Sequence, residues 1–133
     1  MKFMMLMIPA GYRGNTKPTD PNFPDPKMLE KMGRYNEELG KVFKITDLNG
    51  LHPLLDGARV SFTKGNALVT DGPFIETKEV LGGYWMIEAP SKEALVKWAQ
   101  KCPAEDGDIL EIRQVFDLSD CRSASDGTLV SGL

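Results

Sequence analysis

The chain of 133 residues holds only two cysteines and one histidine, too few for a disulfide scaffold or a zinc set. Cys102 and Cys121 form no Cys-x-x-Cys pair, and Cys121 lies in a polar tail, so both are expected as free thiols in a reducing cytoplasm. Basic residues are not in excess: 16 Lys+Arg against 19 Asp+Glu leave a net charge of −3, with no Lys/Arg stripe, which argues against a nucleic-acid partner. No apolar run reaches the ~20 residues of a membrane span. Met1–Ile8 superficially resembles a signal peptide, but Pro9 ends the short apolar stretch and no A-x-A site follows, so a first strand is expected instead. Phosphate loops, nucleophile elbows and metal-ligand patterns are also missing. No metal and no cofactor is therefore expected, and the motifs name no reaction.

What is present is an ordinary globular composition, 41% hydrophobic and 26% charged, which at this length gives one domain. Residues 2–8, apolar from Phe3 onward, suit a strand buried on both faces. Residues 10–25 form a loop with Pro18, Pro21 and Pro24, long enough to serve as a mobile cover over a cleft mouth. Asp25 as N-cap and Pro26 at the first position open a helix. Its Met28, Leu29, Met32, Tyr35, Leu39, Val42 and Phe43 share one face. An extended stretch over 45–51 precedes a hairpin, 59–63 with 67–70, turning at Lys64-Gly65-Asn66. Gly82–Glu88 is a strand, Ser91 caps a second helix carrying Leu95, Trp98, Ala99 and Cys102, and a last strand covers 109–116. Residues 118–133 are a polar tail without periodicity.

This order predicts an α+β, ferredoxin-like domain, with an antiparallel sheet and two helices on one of its faces. Strands 3–8 and 84–87 are apolar on both faces, and water would not tolerate the uncovered one. A second copy packed sheet to sheet is the physical remedy, so a homodimer is expected.

Asp71-Gly72-Pro73-Phe74, then Glu76-Thr77-Lys78-Glu79 and Gly82-Gly83-Tyr84-Trp85, resemble the YCII-related, DGPF-domain family. Gly33-Arg34-Tyr35-Asn36-Glu37-Glu38-Leu39, Gly50-Leu51-His52-Pro53, Gly57-Ala58-Arg59-Val60 and Glu111-Ile112-Arg113 extend the resemblance over residues 1–117. It implies a dimeric α+β barrel, in a superfamily that includes small isomerases and monooxygenases of aromatic metabolism. Members of this branch often lie beside extracytoplasmic-function sigma factors. Some better-studied relatives are proposed to use a His–Asp pair with the histidine on the first helix. That helix has no histidine here, so the pair does not carry over. Asn49 stands where related sequences often have an acidic residue, and the 10–25 loop is longer than in the family.

Two residues could carry catalysis. His52 is the only side chain with an ordinary pKa near neutrality, and Asp71 could orient an imidazole or act as a base. Against this, His52 suits a strand end and Asp71 a turn that bonds its own backbone. In that second reading Asp71-Gly72-Pro73-Phe74 is an architectural corner anchored by Phe74. Candidate ligand-binding residues are Arg59, Arg113, Glu111, Tyr84, Trp85, Glu76 and Lys78. Alternation sets Arg59 and Ser61, and likewise Glu111 and Arg113, apart from their apolar neighbours, so these polar groups are expected to face the dimer barrel. An arginine there needs a carboxylate or an anionic ligand. Tyr84 and Trp85 point to opposite faces. Two functions follow: binding or transforming a small polar or anionic metabolite in a barrel cleft, or a non-catalytic, transcription-related accessory module acting through protein contacts.

Overall fold

A central strand apolar on both sides organises the molecule. In the computed structural model, which describes residues 1–17, 19–20, 26–72, 74, 79–117 and 120, that strand is β1 (Lys2–Ile8). After it come α1 (Pro26–Val42), β2 (Lys44–Gly50), a 3-10 turn at Leu54–Asp56, β3 (Ala58–Thr63), β4 (Asn66–Asp71), β5 (Gly83–Glu88), α2 (Lys92–Ala99) and β6 (Ile109–Gln114). Four strands form one antiparallel sheet in the order β2-β5-β1-β6, and β3 with β4 forms a separate two-stranded sheet. This is the ferredoxin-like α+β plan with a hairpin inserted after β2.

Alternation along the strands divides the main sheet into two faces. Phe3, Met5, Trp85 and Ile87 point to the helical side and pack with Tyr35, Leu39, Phe43 and Leu95 as one core. Ser91 holds the start of α2, its Oγ accepting from the Ala94 backbone N–H at 3.1 Å. The expected N-cap Asp25 lies outside the described residues. Tyr35 donates its hydroxyl proton to the Trp98 carbonyl at 2.8 Å, joining the two helices, and burial pushes its pKa well up. Cys102, a free thiol, is pushed up to about 11 chiefly by burial, with Asp108 adding to it. Cys121 lies outside the described residues.

Among the described residues the other face of the sheet meets no helix. Register sets its residues in two rungs across the four strands: Asn49, Tyr84, Leu6, Glu111 and, one step along, Asp47, Met86, Met4, Arg113. Each rung is polar at its ends and apolar across β1. A β-bulge between Ile45 and Asp47 places Asp47 on this face. Without it, strict alternation would send Asp47 to the helical side with Ile45.

Arg59 and Ser61 lie in a different sheet from Glu111 and Arg113, because among the described residues β3 and β4 pair with each other. Of the 10–25 loop, residues 10–17 carry buried side chains, and 18 and 21–25 lie outside the described residues. Tyr12 is 4% exposed, Thr16 is 5% exposed, and the Phe74 backbone N–H donates to the Gly14 carbonyl at 3.2 Å. Among the described residues no helix is long and apolar enough to cross a membrane.

Candidate functional site

The bulge in β2 does more than turn one side chain. The Asp47 carboxylate on the open face accepts from the Tyr84 hydroxyl at 2.8 Å, the Asn49 side-chain amide at 2.9 Å and the Leu48 backbone N–H at 3.0 Å. The Asn49 amide also donates to the Tyr84 oxygen at 3.0 Å, closing a ring of three side chains. Every amide hydrogen of Asn49 is thereby engaged, while its carbonyl oxygen accepts nothing among the described residues. The ring presents acceptors outward, so it suits a group rich in N–H or O–H donors. Asp47 supplies the carboxylate that Asn49 lacks, two residues earlier on the same face. Neither residue was a sequence candidate, and only recognition of the bulge could have pointed to Asp47.

Glu111 and Arg113 occupy the opposite margin, on β6. Both are exposed, and among the described residues neither finds an ion-pair partner. Tyr84 is the ring on the open face. Trp85 is 3% exposed in the core, with its indole N–H donating to Asn36 Oδ1 at 2.7 Å, so it has no route to a ligand on that face.

The remaining candidates lie elsewhere. His52 projects into solvent with its side chain 92% exposed, and its Nδ1 stands 3.8 Å from Asp56 Oδ2, too far for a hydrogen bond. Asp71, at the foot of the hairpin, is exposed, and among the described residues no group donates to its carboxylate. Gly72 follows so close to the 3-10 turn that an added Cβ would lie 2.3 Å from the Leu55 carbonyl oxygen, so the corner has no room for a side chain there. Phe74 is the anchor, 9% exposed, with the Arg59 guanidinium 4.8 Å above its ring. Glu76 and Lys78 lie outside the described residues, as does all of 118–133 except Asp120. Among the described residues no three His, Cys, Asp or Glu side chains converge on a point that could hold a metal ion.

The helices over one sheet face and the uncovered, polar-ended other face define a ferredoxin-like α+β domain. The chain belongs to the YCII-related family, whose domain model matches residues 1–119. No curated protein matches it.

Proposed function

We propose that the protein acts as a homodimer, packed sheet to sheet, that binds a small polar or anionic metabolite at the margins between the two sheets. The observation that carries this is the pair of rungs on the open face. Asp47 and Arg113 end one rung, separated by Met86 and Met4; at ~4.8 Å per strand they stand about 14 Å apart. A two-fold axis parallel to the strands lays β2 of one copy over β6 of the other at the same level. Asp47 then meets the partner's Arg113, Asn49 meets the partner's Glu111, and Tyr84 lies over the partner's Leu6 beside that glutamate. Apolar residues meet in the middle, as an isologous interface requires. Each margin gathers a tyrosine hydroxyl, an amide, two carboxylates and one guanidinium from two chains. That set recognises a molecule bearing a carboxylate for Arg113 and a hydroxyl or amino group for the Asp47 ring. The reading needs neither His52 nor Asp71, and it names no reaction.

The test is a thermal-shift screen of the full chain against small aromatic and aliphatic carboxylates. A ligand at 100 times its Kd raises stability by about 2.7 kcal/mol. Arg113→Gln and Tyr84→Phe should each remove most of that gain. A panel without any hit, or a hit indifferent to both substitutions, would refute this site.

A second reading has one observation of its own. A shallow groove of about 350 Å3 on the helical side is lined by Lys31, Arg34, Tyr35, Glu38, Trp98 and Lys101, with Lys101 Nζ 4.2 Å over the Trp98 ring. It supports an accessory module that docks an acidic protein segment there.

A further inference from the structure

The inserted hairpin has a surface that the described residues of its own chain leave exposed. In the β3–β4 register Ala58, Val60 and Phe62 share a side with Ala67, Val69 and Asp71, so one side is apolar along nearly its whole length. The opposite side carries Arg59, Ser61, Thr63, Asn66 and Thr70, with Leu68 as its large apolar residue. Val60 is 52% exposed, Phe62 75% and Val69 62%, and every other residue of the two strands is exposed too. Lys64 and Gly65 both take positive φ, 51° and 81°, which closes the tight two-residue turn. The base is fixed by the Gly72 N–H donating to the Gly57 carbonyl at 3.4 Å. Two strands alone are marginal in water. A rigidly based hairpin with one apolar side is built to be covered.

We propose that this hairpin is an arm that closes over the second copy in the homodimer, laying Val60, Phe62 and Val69 against the partner's Ile8 and Ile109. The proposal rests on the sheet-to-sheet dimer above, and register supplies the place. Gly50, the last residue of β2, stands level with Gly83, Met7 and Leu110 across the sheet. An axis parallel to the strands keeps that level, so the end of β2, from which the arm departs, lies over the start of the partner's β6. There Ile109 is 48% exposed and pairs with the half-buried Ile8.

Area supports the same occupant. Four strands of six or seven residues cover roughly 400 Å2 in projection, about half of the ~800 Å2 per partner that a stable interface buries. Each arm face adds about 200 Å2, while the Ile8–Ile109 corner that receives the partner's arm already belongs to the sheet face, which brings each chain to about 600 Å2. The sheet face alone falls short, and with two arms the total of about 1,200 Å2 enters the range of stable interfaces.

Sedimentation velocity on the full chain tests this. Phe62→Ser should raise the dimer dissociation constant by about 100-fold or more, since two rings per dimer lose their cover. Ile109→Ser should act in the same direction, and the double variant should lose less than the two singles together, because both remove the same contact. Leu68→Ser, on the other side of the arm, should change the constant by less than about 3-fold. Phe62 is 75% exposed and lies outside the core of the described residues, so protomer folding is not at risk. A dimer unchanged by Phe62→Ser, or equally weakened by Leu68→Ser, would overturn the arm and leave the sheet-to-sheet dimer standing. A wild-type chain that stays monomeric would overturn both.

Discussion

Gly72→Ala tests whether the Asp71–Phe74 corner is set by backbone contact. The new methyl would lie 2.3 Å from the Leu55 carbonyl oxygen and 2.9 Å from the Leu55 C and Cα. None of these atoms can rotate aside as a side chain could. The oxygen stands about 1 Å inside ordinary contact, so the 3-10 turn must move away from the hairpin base. Overpacking of this kind costs about 1–3 kcal/mol, and at ~3–4 °C per kcal/mol in a chain of this size Tm should fall by about 3–12 °C. Gly33→Ala on the exposed face of α1 gives the opposite sign. Its Cβ meets nothing within 4 Å, and alanine stabilises a helix interior over glycine by roughly 0.5–1 kcal/mol. Differential scanning calorimetry at one protein concentration reads both. A Gly72→Ala chain that melts with the wild type would refute the close approach as the reason for that glycine.

Two further outcomes follow from the same packing. Phe74→Ala should cost about 3 kcal/mol in denaturant unfolding, whereas Asp71→Asn should stay within about 0.5 kcal/mol because no described residue donates to that carboxylate; equal losses would return the corner to the aspartate. Cys102 binds its proton more tightly when folded, moving from 9.0 to about 11, so its contribution is complete below pH 9 and is lost as pH climbs through about 11. Cys102→Ala should therefore flatten the fall in Tm between those pH values, and an unaltered slope would contradict a buried thiol.

The elements that pack on each other were the legible ones. Phe3 and Met5, the Tyr35–Leu39 spacing, the Ser91 cap and Leu95 each announce a buried side through period alone, and the ferredoxin-like order follows from them. What escaped was anything that breaks period or decides between sheets. The bulge at β2 adds one residue and reverses the parity of everything after it, so Asp47 and its ring with Tyr84 and Asn49 were invisible to alternation. Alternation also gave Arg59 a polar side without saying which sheet that side belongs to, and β3 pairs with β4 alone. His52 attracted notice by its ordinary pKa, a property of the residue type rather than of its surroundings. The structure gives it solvent and a distant Asp56.

The pairing of acidic and basic margins across the two-fold axis is tested most directly by charge reversal, read as the dimer dissociation constant from sedimentation equilibrium. Asp47→Arg and Arg113→Asp should each weaken the dimer by about 10-fold or more, since every dimer then holds two like-charged contacts. The double variant, with the charges exchanged, should recover to within about 3-fold of wild type, a coupling that only facing residues produce. A double variant as weak as the single ones, or a wild-type chain that sediments as a monomer, would contradict the arrangement.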